Sequence, residues 1–239
     1  MSKKNYLDEK IIFSEKFSLD VKRHCNMTTF VNPFNYYFLK DNKSYLLQFD
    51  EIHIDGSLLV LLHNLFYRET KVSRKSFDFS SIADDVFTFA KSSSKTVYLI
   101  GGSNSEVIKC SENILKLYPG LNIIGCNDGF FGVNPGDKLK LFSTLKELEP
   151  DYIIIGMGAP LQEELAIELK DFGVKFERLF TCGGFITQTS LRPDYYYPLV
   201  KKLGLRWLQR FIMHSHVRRR VLINYPVFIF KYICSHFKH

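Results

Sequence analysis

Asp55 is the carboxylate best placed to do chemistry. It follows Ile52 and Ile54, precedes Gly56 and opens onto the apolar run SLLVLLHNLF. A carboxylate at the edge of an apolar segment can have a raised pKa and serve as a general base. The same position suits an ordinary helix N-cap equally well. Glycine suggests a second kind of chemistry. Four short apolar runs end in bare corners: TVYLIGGS at Gly101 and Gly102, LNIIGCNDG, DYIIIGMGAP at Gly156, Gly158 and Pro160, and RLFTCGGF at Gly183 and Gly184. Glycine at the end of a strand lets backbone N–H groups approach a ligand, and the helix start beyond it favours an anion. One such corner means only a tight turn; four on one edge point to a nucleotide-type cleft.

Other chemistries find no support. The corners do not spell G-x-G-x-x-G, no acid is placed to read a ribose, and no G-x-x-x-x-G-K-[ST] occurs. There is no G-x-S-x-G, and none of the five cysteines sits in a cationic setting. The histidines lack H-E-x-x-H spacing, with His214 and His216 reading as surface residues, and Asp-x-Asp is absent, so no metal is expected.

These residues need elements to hold them. Thr96–Ile100 reads as a strand, followed by a helix from Ser103 or Asn104 to about Tyr118, stopped by Pro119-Gly120. DYIIIG reads as a strand followed by a helix ending near Gly173. MTTFVNPFNYYFLK predicts a strand and then a helix after Asn32-Pro33. FDEIHIDGSLLVLLHNLF predicts a strand, a turn at Asp55-Gly56 and a helix to about Phe66. Ile82, Val86, Phe89 and Ala90 mark a helix from about Ser80, with Asp84 and Asp85 on its wet face. Continuous apolar strands alternating with helices predict an α/β fold with a parallel sheet covered on both faces and ligands at the strands' carboxyl ends.

The chain has 239 residues, enough for one large domain or two small ones. Scattered cysteines without C-x-x-C suggest a reducing cytosol. The start MSKKNYLDEK has no apolar run, so no signal peptide is expected, and no stretch of about 18 apolar residues predicts a spanning helix. Charge is uneven. From Arg192 onward ten Lys or Arg face one acid, Asp194, giving the tail +9 against −2 for the rest. A basic, aromatic tail suits an anionic partner: nucleic acid, a phosphorylated substrate or a membrane surface. It reads as two or three helices broken near Gly204 and Pro226, with a boundary near Arg192.

A series of motifs then occurs in order: FVNPFNYYF, IDGSLLV, SRKSFDFSS, VYLIGGS, YPGLNIIGCNDGFF, IIIGMGAPLQEE, TCGGF and LGLRWLQRF, followed by an arginine cluster. From about Thr29 to Tyr232 the chain resembles the WecG/TagA/CpsF bacterial glycosyltransferases, glycosyltransferase family 26. The resemblance implies a Rossmann-like catalytic domain over 1–191 and a basic helical appendage over 192–239. It implies metal-independent, inverting transfer of a sugar from a UDP-sugar to a polyprenyl-diphosphate-linked saccharide in capsule, exopolysaccharide or teichoic-acid assembly. No cofactor is expected. The enzyme would be cytoplasmic and peripheral, on the anionic inner face of the membrane, with no nucleic-acid partner.

By the same resemblance, Asp55 is the base that deprotonates the acceptor hydroxyl, with Asn32 beside it and Arg74 contacting substrate. Gly101, Gly102, Gly156, Gly158, Pro160, Gly183 and Gly184 line the sugar-nucleotide pocket. Gln162 faces the donor, and Glu163 caps or buttresses the turn. Arg210 and Arg218, Arg219 and Arg220 close over the diphosphate. Three departures mark a divergent branch. The acid usual after the GG-aromatic step is missing, leaving Thr187 or Gln188 in its place. Arg206 replaces an acid before Trp207, and Phe30 replaces a threonine. Non-catalytic sugar-nucleotide binding, or a tail that simply binds membrane or nucleic acid, is the competing class.

Overall fold

A computed structural model describes residues 5–19, 25–131, 135–192, 197, 199–200, 206–213 and 218–237. Six strands form one parallel sheet: β1 (Asn26–Val31), β2 (Glu51–Ile54), β3 (Thr96–Gly101), β4 (Asn122–Asn127), β5 (Tyr152–Gly156) and β6 (Arg178–Thr181), in the order β2-β1-β6-β5-β3-β4. Their side chains alternate between two apolar layers. Tyr98, Ile100, Ile153 and Ile155 join one cluster, while Val97, Leu99, Tyr152 and Ile154 join the other. Burial on both faces is why these strands are continuously apolar.

The second layer is covered by α5 (Ile82–Ser92), α6 (Asn104–Leu117) and α9 (Phe185–Leu191), through Val86, Phe87, Val107, Ile114 and Phe185. Helix α6 begins in a capping box: Ser103 accepts from the Glu106 N–H while Glu106 accepts from the Ser103 N–H. The first layer is covered by α1 (Tyr6–Phe13), α2 (Tyr36–Asp41), α3 (Lys43–Gln48), α4 (Ser57–Phe66), α7 (Pro135–Leu148) and α8 (Leu161–Asp171). Helices α1, α3 and α7 are absent from the expectations above. Their weakly periodic sequences become helical against a sheet already in place.

In the tail the described residues include α10 (Arg206–Met213) and α11 (Tyr225–Phe237), the latter entered through a π-helical turn at Arg220–Asn224. Gly204 lies outside the described residues. Pro226 does not break the helix; it lies in the first turn of α11, directly after the π-helical turn. Helix α11 packs into the first layer: Phe228 and Tyr232 are buried beside Tyr36. Val227 and Phe230, on the other face, are exposed. The division at residue 192 is one of charge, and packing carries the last helix across it.

A sealed polar cluster fixes that packing. Asp8 of α1 is fully buried and accepts from Tyr36 Oη at 2.9 Å, Tyr67 Oη at 2.8 Å and Asn5 Nδ2 at 2.5 Å. His236 of α11 approaches Asp8 with Nε2 at 3.4 Å and Tyr67 Oη at 3.0 Å. Burial pushes the hydroxyl pKa of Tyr36 and Tyr232 well up, so both phenols stay neutral, and Tyr36 donates to Asp8.

Candidate active site

The parallel sheet puts every strand's carboxyl end on one edge, and a cleft of about 800 Å³, counted with its open mouth, lies there. The ends of β1, β2 and β6 and the turn after β5 contribute Asn32, Asp55, Thr181, Cys182, Gly183, Gly184, Gly158 and Ala159. The segment before α5 adds Arg74, Ser76, Phe77 and Asp78, and the starts of α8 and α9 add Gln162, Phe185 and Gln188. Residues from five separate stretches of sequence therefore meet in one place.

Asp55 is not a helix cap. The N-cap of α4 is Gly56, and no side chain caps it. Gly56 has φ = 133°, a conformation that turns the chain sharply between β2 and α4 and suits glycine alone. Asp55 is thereby left at the tip of β2, with 30 % of its side chain open to solvent. Its Oδ1 accepts from Arg74 Nη2 at 3.0 Å, and the same nitrogen donates to Asp78 Oδ2 at 2.7 Å. Asp78 is itself clamped, by Ser76 Oγ at 2.6 Å, by the Ser80 N–H at 2.8 Å and by the Ser80 hydroxyl. Burial alone would raise the Asp78 carboxyl pKa, but the Arg74 charge and the serine hydrogen bonds hold it below the usual range. An Asp78 held ionised at neutral pH fixes Arg74, and Arg74 fixes the carboxylate of Asp55.

Asn32 works through its backbone turn. Its Oδ1 accepts from the Phe34 N–H at 2.9 Å, its N–H donates to Asn35 Oδ1 at 2.8 Å, and Asn35 Nδ2 returns to the Phe30 carbonyl at 3.0 Å. The turn holds the β1 exit next to Asp55, whose N–H donates to the Val31 carbonyl at 2.8 Å.

The glycine corners divide into two groups. Gly158, Gly183 and Gly184 line the cleft; Gly101, Gly102, Gly156 and Pro160 do not. Gly101 and Gly156 are paired in register on β3 and β5, and a Cβ on Gly101 would sit 2.2 Å from the Gly156 carbonyl oxygen. Their glycines serve the close approach of two strands. Gly102 takes the Gly129 N–H at 2.9 Å, and Pro160 precedes the first residue of α8. At Gly158 and Gly183 a Cβ would meet nothing, but φ is 77° and 56°, so conformation requires glycine there. Gly184 leaves the space that Gln188 fills, since a Cβ would lie 2.9 Å from Gln188 Nε2.

Gln162 lines the cleft, but its amide is already committed. Oε1 accepts from the Gly158 N–H at 3.2 Å and the Gly183 N–H at 2.9 Å, and Nε2 donates to Glu163 at 3.0 Å. It ties the two corners together, where a donor-facing amide was expected. Cys182 is no nucleophile, because burial pushes its thiol pKa well up. Among the described residues no three His, Cys, Asp or Glu converge to hold a metal ion.

Of the appendage arginines, Arg218 and Arg219 are exposed and outside the cleft lining, and Arg218 donates to the Ile212 carbonyl at 3.3 Å. The side chains of Arg210 and Arg220 lie outside the described residues, as do His214 and His216. Asn35, Ser76, Asp78 and Thr181 are site residues that sequence reasoning did not single out. The serines two residues to either side of Asp78, in SFDFS, were the available signal for a clamped carboxylate. Nothing local marks Thr181.

Comparison with known proteins agrees with this geometry. A family model described as "Glycosyl transferase WecG/TagA/CpsF family" matches residues 17–239. The chain is 42 % identical over 217 residues to the UDP-Gal:alpha-D-GlcNAc-diphosphoundecaprenol beta-1,4-galactosyltransferase of Shigella boydii, covering 90 % of this chain and 89 % of that one. It is 25 % identical over 155 residues to the N-acetylglucosaminyldiphosphoundecaprenol N-acetyl-beta-D-mannosaminyltransferase of Staphylococcus aureus (strain MW2), covering 63 % of this chain and 57 % of that one. With a Rossmann-like parallel sheet, a cleft at its carboxyl edge and a family match over nearly its whole length, the chain belongs to the WecG/TagA/CpsF family and is a glycosyltransferase.

Proposed function

We propose that the enzyme transfers a sugar from a UDP-sugar to a polyprenyl-diphosphate-linked saccharide in cell-surface polysaccharide synthesis, with inversion and without a metal. The observation that carries this proposal is the convergence of Asp55, Arg74 and Asn32 with the Gly158 and Gly183 corners in one cleft. Asp55 takes the proton of the acceptor hydroxyl as its oxygen attacks the anomeric carbon from the face opposite UDP. The new C–O bond forms as the bond to the β-phosphate oxygen breaks, and UDP leaves with the electron pair. Helix N-termini at the cleft and arginines offset the charge that develops on the leaving group. Metal independence is supported by the fate of the two carboxylates in the cleft. Both Asp55 and Asp78 are paired to Arg74, which leaves little acid to bind a cation.

The names of both relatives share an acceptor, GlcNAc on diphosphoundecaprenol, and differ in the sugar transferred. We therefore assign that acceptor here, with UDP-galactose the first donor to test. A synthetic GlcNAc-diphosphate-lipid incubated with UDP-galactose and excess EDTA should yield a disaccharide lipid. Activity that disappears with EDTA and returns with Mg²⁺ or Mn²⁺ would overturn the metal-free mechanism. No transfer with any UDP-sugar would overturn the donor class.

Because the acceptor is a lipid, we place the enzyme on the inner, anionic face of the cytoplasmic membrane, held peripherally. No helix among the described residues is long and apolar enough to cross a membrane. The tail carries +9, and Leu222, Ile223, Val227, Phe230 and Phe237 are exposed near its end. Full-length protein should sediment with anionic liposomes and be released by high salt. Equal sedimentation with neutral liposomes would remove the role given to the tail's charge.

A further inference from the structure

Glu163 follows Gln162 into the first turn of α8 and is fully buried. One of its oxygens is heavily used. Oε1 accepts from Gln162 Nε2 at 3.0 Å and from Thr29 Oγ1 at 2.9 Å, and the Thr29 hydroxyl also meets that of Thr181 at 2.8 Å. The other, Oε2, is buried with no hydrogen-bond partner among the described residues. Leaving a carboxyl oxygen bare in the interior is costly, and a residue needed only to fill space would be apolar. The position keeps an acid for what Oε1 does.

What Oε1 does is orient an amide. The N–H groups of Gly158 and Gly183 can only donate, so the Gln162 oxygen must face them and its NH₂ must face away. Turned over, the amide would set its own NH₂ against two N–H groups and leave both corners unpaired. The acceptor that holds the NH₂ on the far side is Glu163 Oε1. Two corners of the cleft floor thus hang on one amide, and the amide hangs on one carboxyl.

We infer that Glu163 is a positioning residue for sugar transfer, fixing the Gln162 amide so that the Gly158 and Gly183 corners keep the spacing the donor requires. The inference rests on the cleft being the UDP-sugar site. Burial pushes the Glu163 carboxyl up to about 7, against the pull of Gln162 and Thr29. Its titratable neighbours are Glu164 on the same helix and Tyr45 of α3, which donates to Glu164 at 3.4 Å; Gln162, Thr29 and Thr181 carry no charge. An ionised Oε1 is the stronger acceptor. The amide is therefore held most firmly above neutrality.

The test measures UDP-galactose binding to full-length protein by calorimetry, and its KM and kcat in transfer, across pH 6–8. In the wild type, KM for the donor should fall as pH rises through about 7. Glu163→Ala should raise that KM about tenfold, the scale of one lost buried hydrogen bond to a charged group, with kcat changed less. Glu163→Gln keeps an acceptor oxygen and should restore most of the loss while removing the pH step. The Gln profile decides the matter even if the Ala variant does not fold. Wild-type KM in Glu163→Ala, or an unchanged pH step in Glu163→Gln, would overturn the inference. A wild-type protein that binds no UDP-sugar would overturn the donor site instead, which keeps the two failures apart.

Discussion

Asp8 and Asp55 are both carboxylates held by strong donors, and they have opposite surroundings. Asp8 lies sealed among Asn5, Tyr36, Tyr67 and His236, with nothing of it exposed. Asp55 is held on one oxygen by Arg74 and otherwise opens to a cleft. In the first, every donor comes from a different helix, so the acid joins α1, α2, the end of α4 and α11. In the second, one donor orients the acid and leaves it room to receive a proton. The same functional group is a structural joint where water is excluded and, in the proposed mechanism, a catalytic base where substrate can enter.

Replacing each acid should separate the two roles. The largest effect is expected from Asp55→Asn, which should keep the fold and UDP binding while lowering transfer about 10²–10⁴-fold, the usual contribution of a general base. Transfer at the wild-type rate would return Asp55 to a purely structural place. Asp8→Ala should do the reverse. It strands two phenols, an amide and His236 in the interior, and urea unfolding should show a loss of about 3 kcal/mol or more. The molecules that remain folded should transfer sugar at the wild-type rate. A loss of activity without a loss of stability would break the contrast.

The smallest effect is in the pH dependence of stability, where two acids near the cleft pull in opposite directions. Asp78 has a lowered pKa, so its stabilisation is present above the ordinary carboxylate range and lost as pH falls through its own depressed value. Glu163 has a raised one, so its contribution is present below the ordinary range and lost as pH rises through about 7. Melting temperatures should fall by about a few degrees on each side of a maximum. Asp78→Asn should flatten the acid limb and Glu163→Gln the decline between pH 4.5 and about 7. An unaltered profile in either variant would remove the corresponding assignment.

How much of this was legible in the sequence varies by element. β3 with α6 and β5 with α8 could be read almost to the residue, because apolar strand, glycine and cap lie next to each other in sequence. The expected start of the helix after Asn32-Pro33 falls too early: the Asn32–Asn35 turn intervenes, and α2 begins at Tyr36. Gln162 was legible as a residue of the cleft but not in its contacts, since its partners Gly158 and Gly183 belong to two different corners. The tail was legible as basic and aromatic. That Phe228 enters the core while Phe230 stays outside depends on which face of α11 meets Tyr36.

By itself the sequence determined the alternation of buried strands and helices, the glycine-bounded edge, the family and Asp55 as a candidate. Those features are local: they follow from residue type, period and spacing along the chain. Tertiary structure alone decided which glycines line the cleft and which face a neighbouring strand, and whether Asp55 caps a helix or meets Arg74. It also decided that Glu163, adjacent to a cleft residue, is buried behind the floor. These distinctions depend on contacts between residues 19 to 134 positions apart, such as Arg74 with Asp55 and Thr29 with Glu163. Such contacts exist only once six strands have fixed their order and their carboxyl ends share one edge.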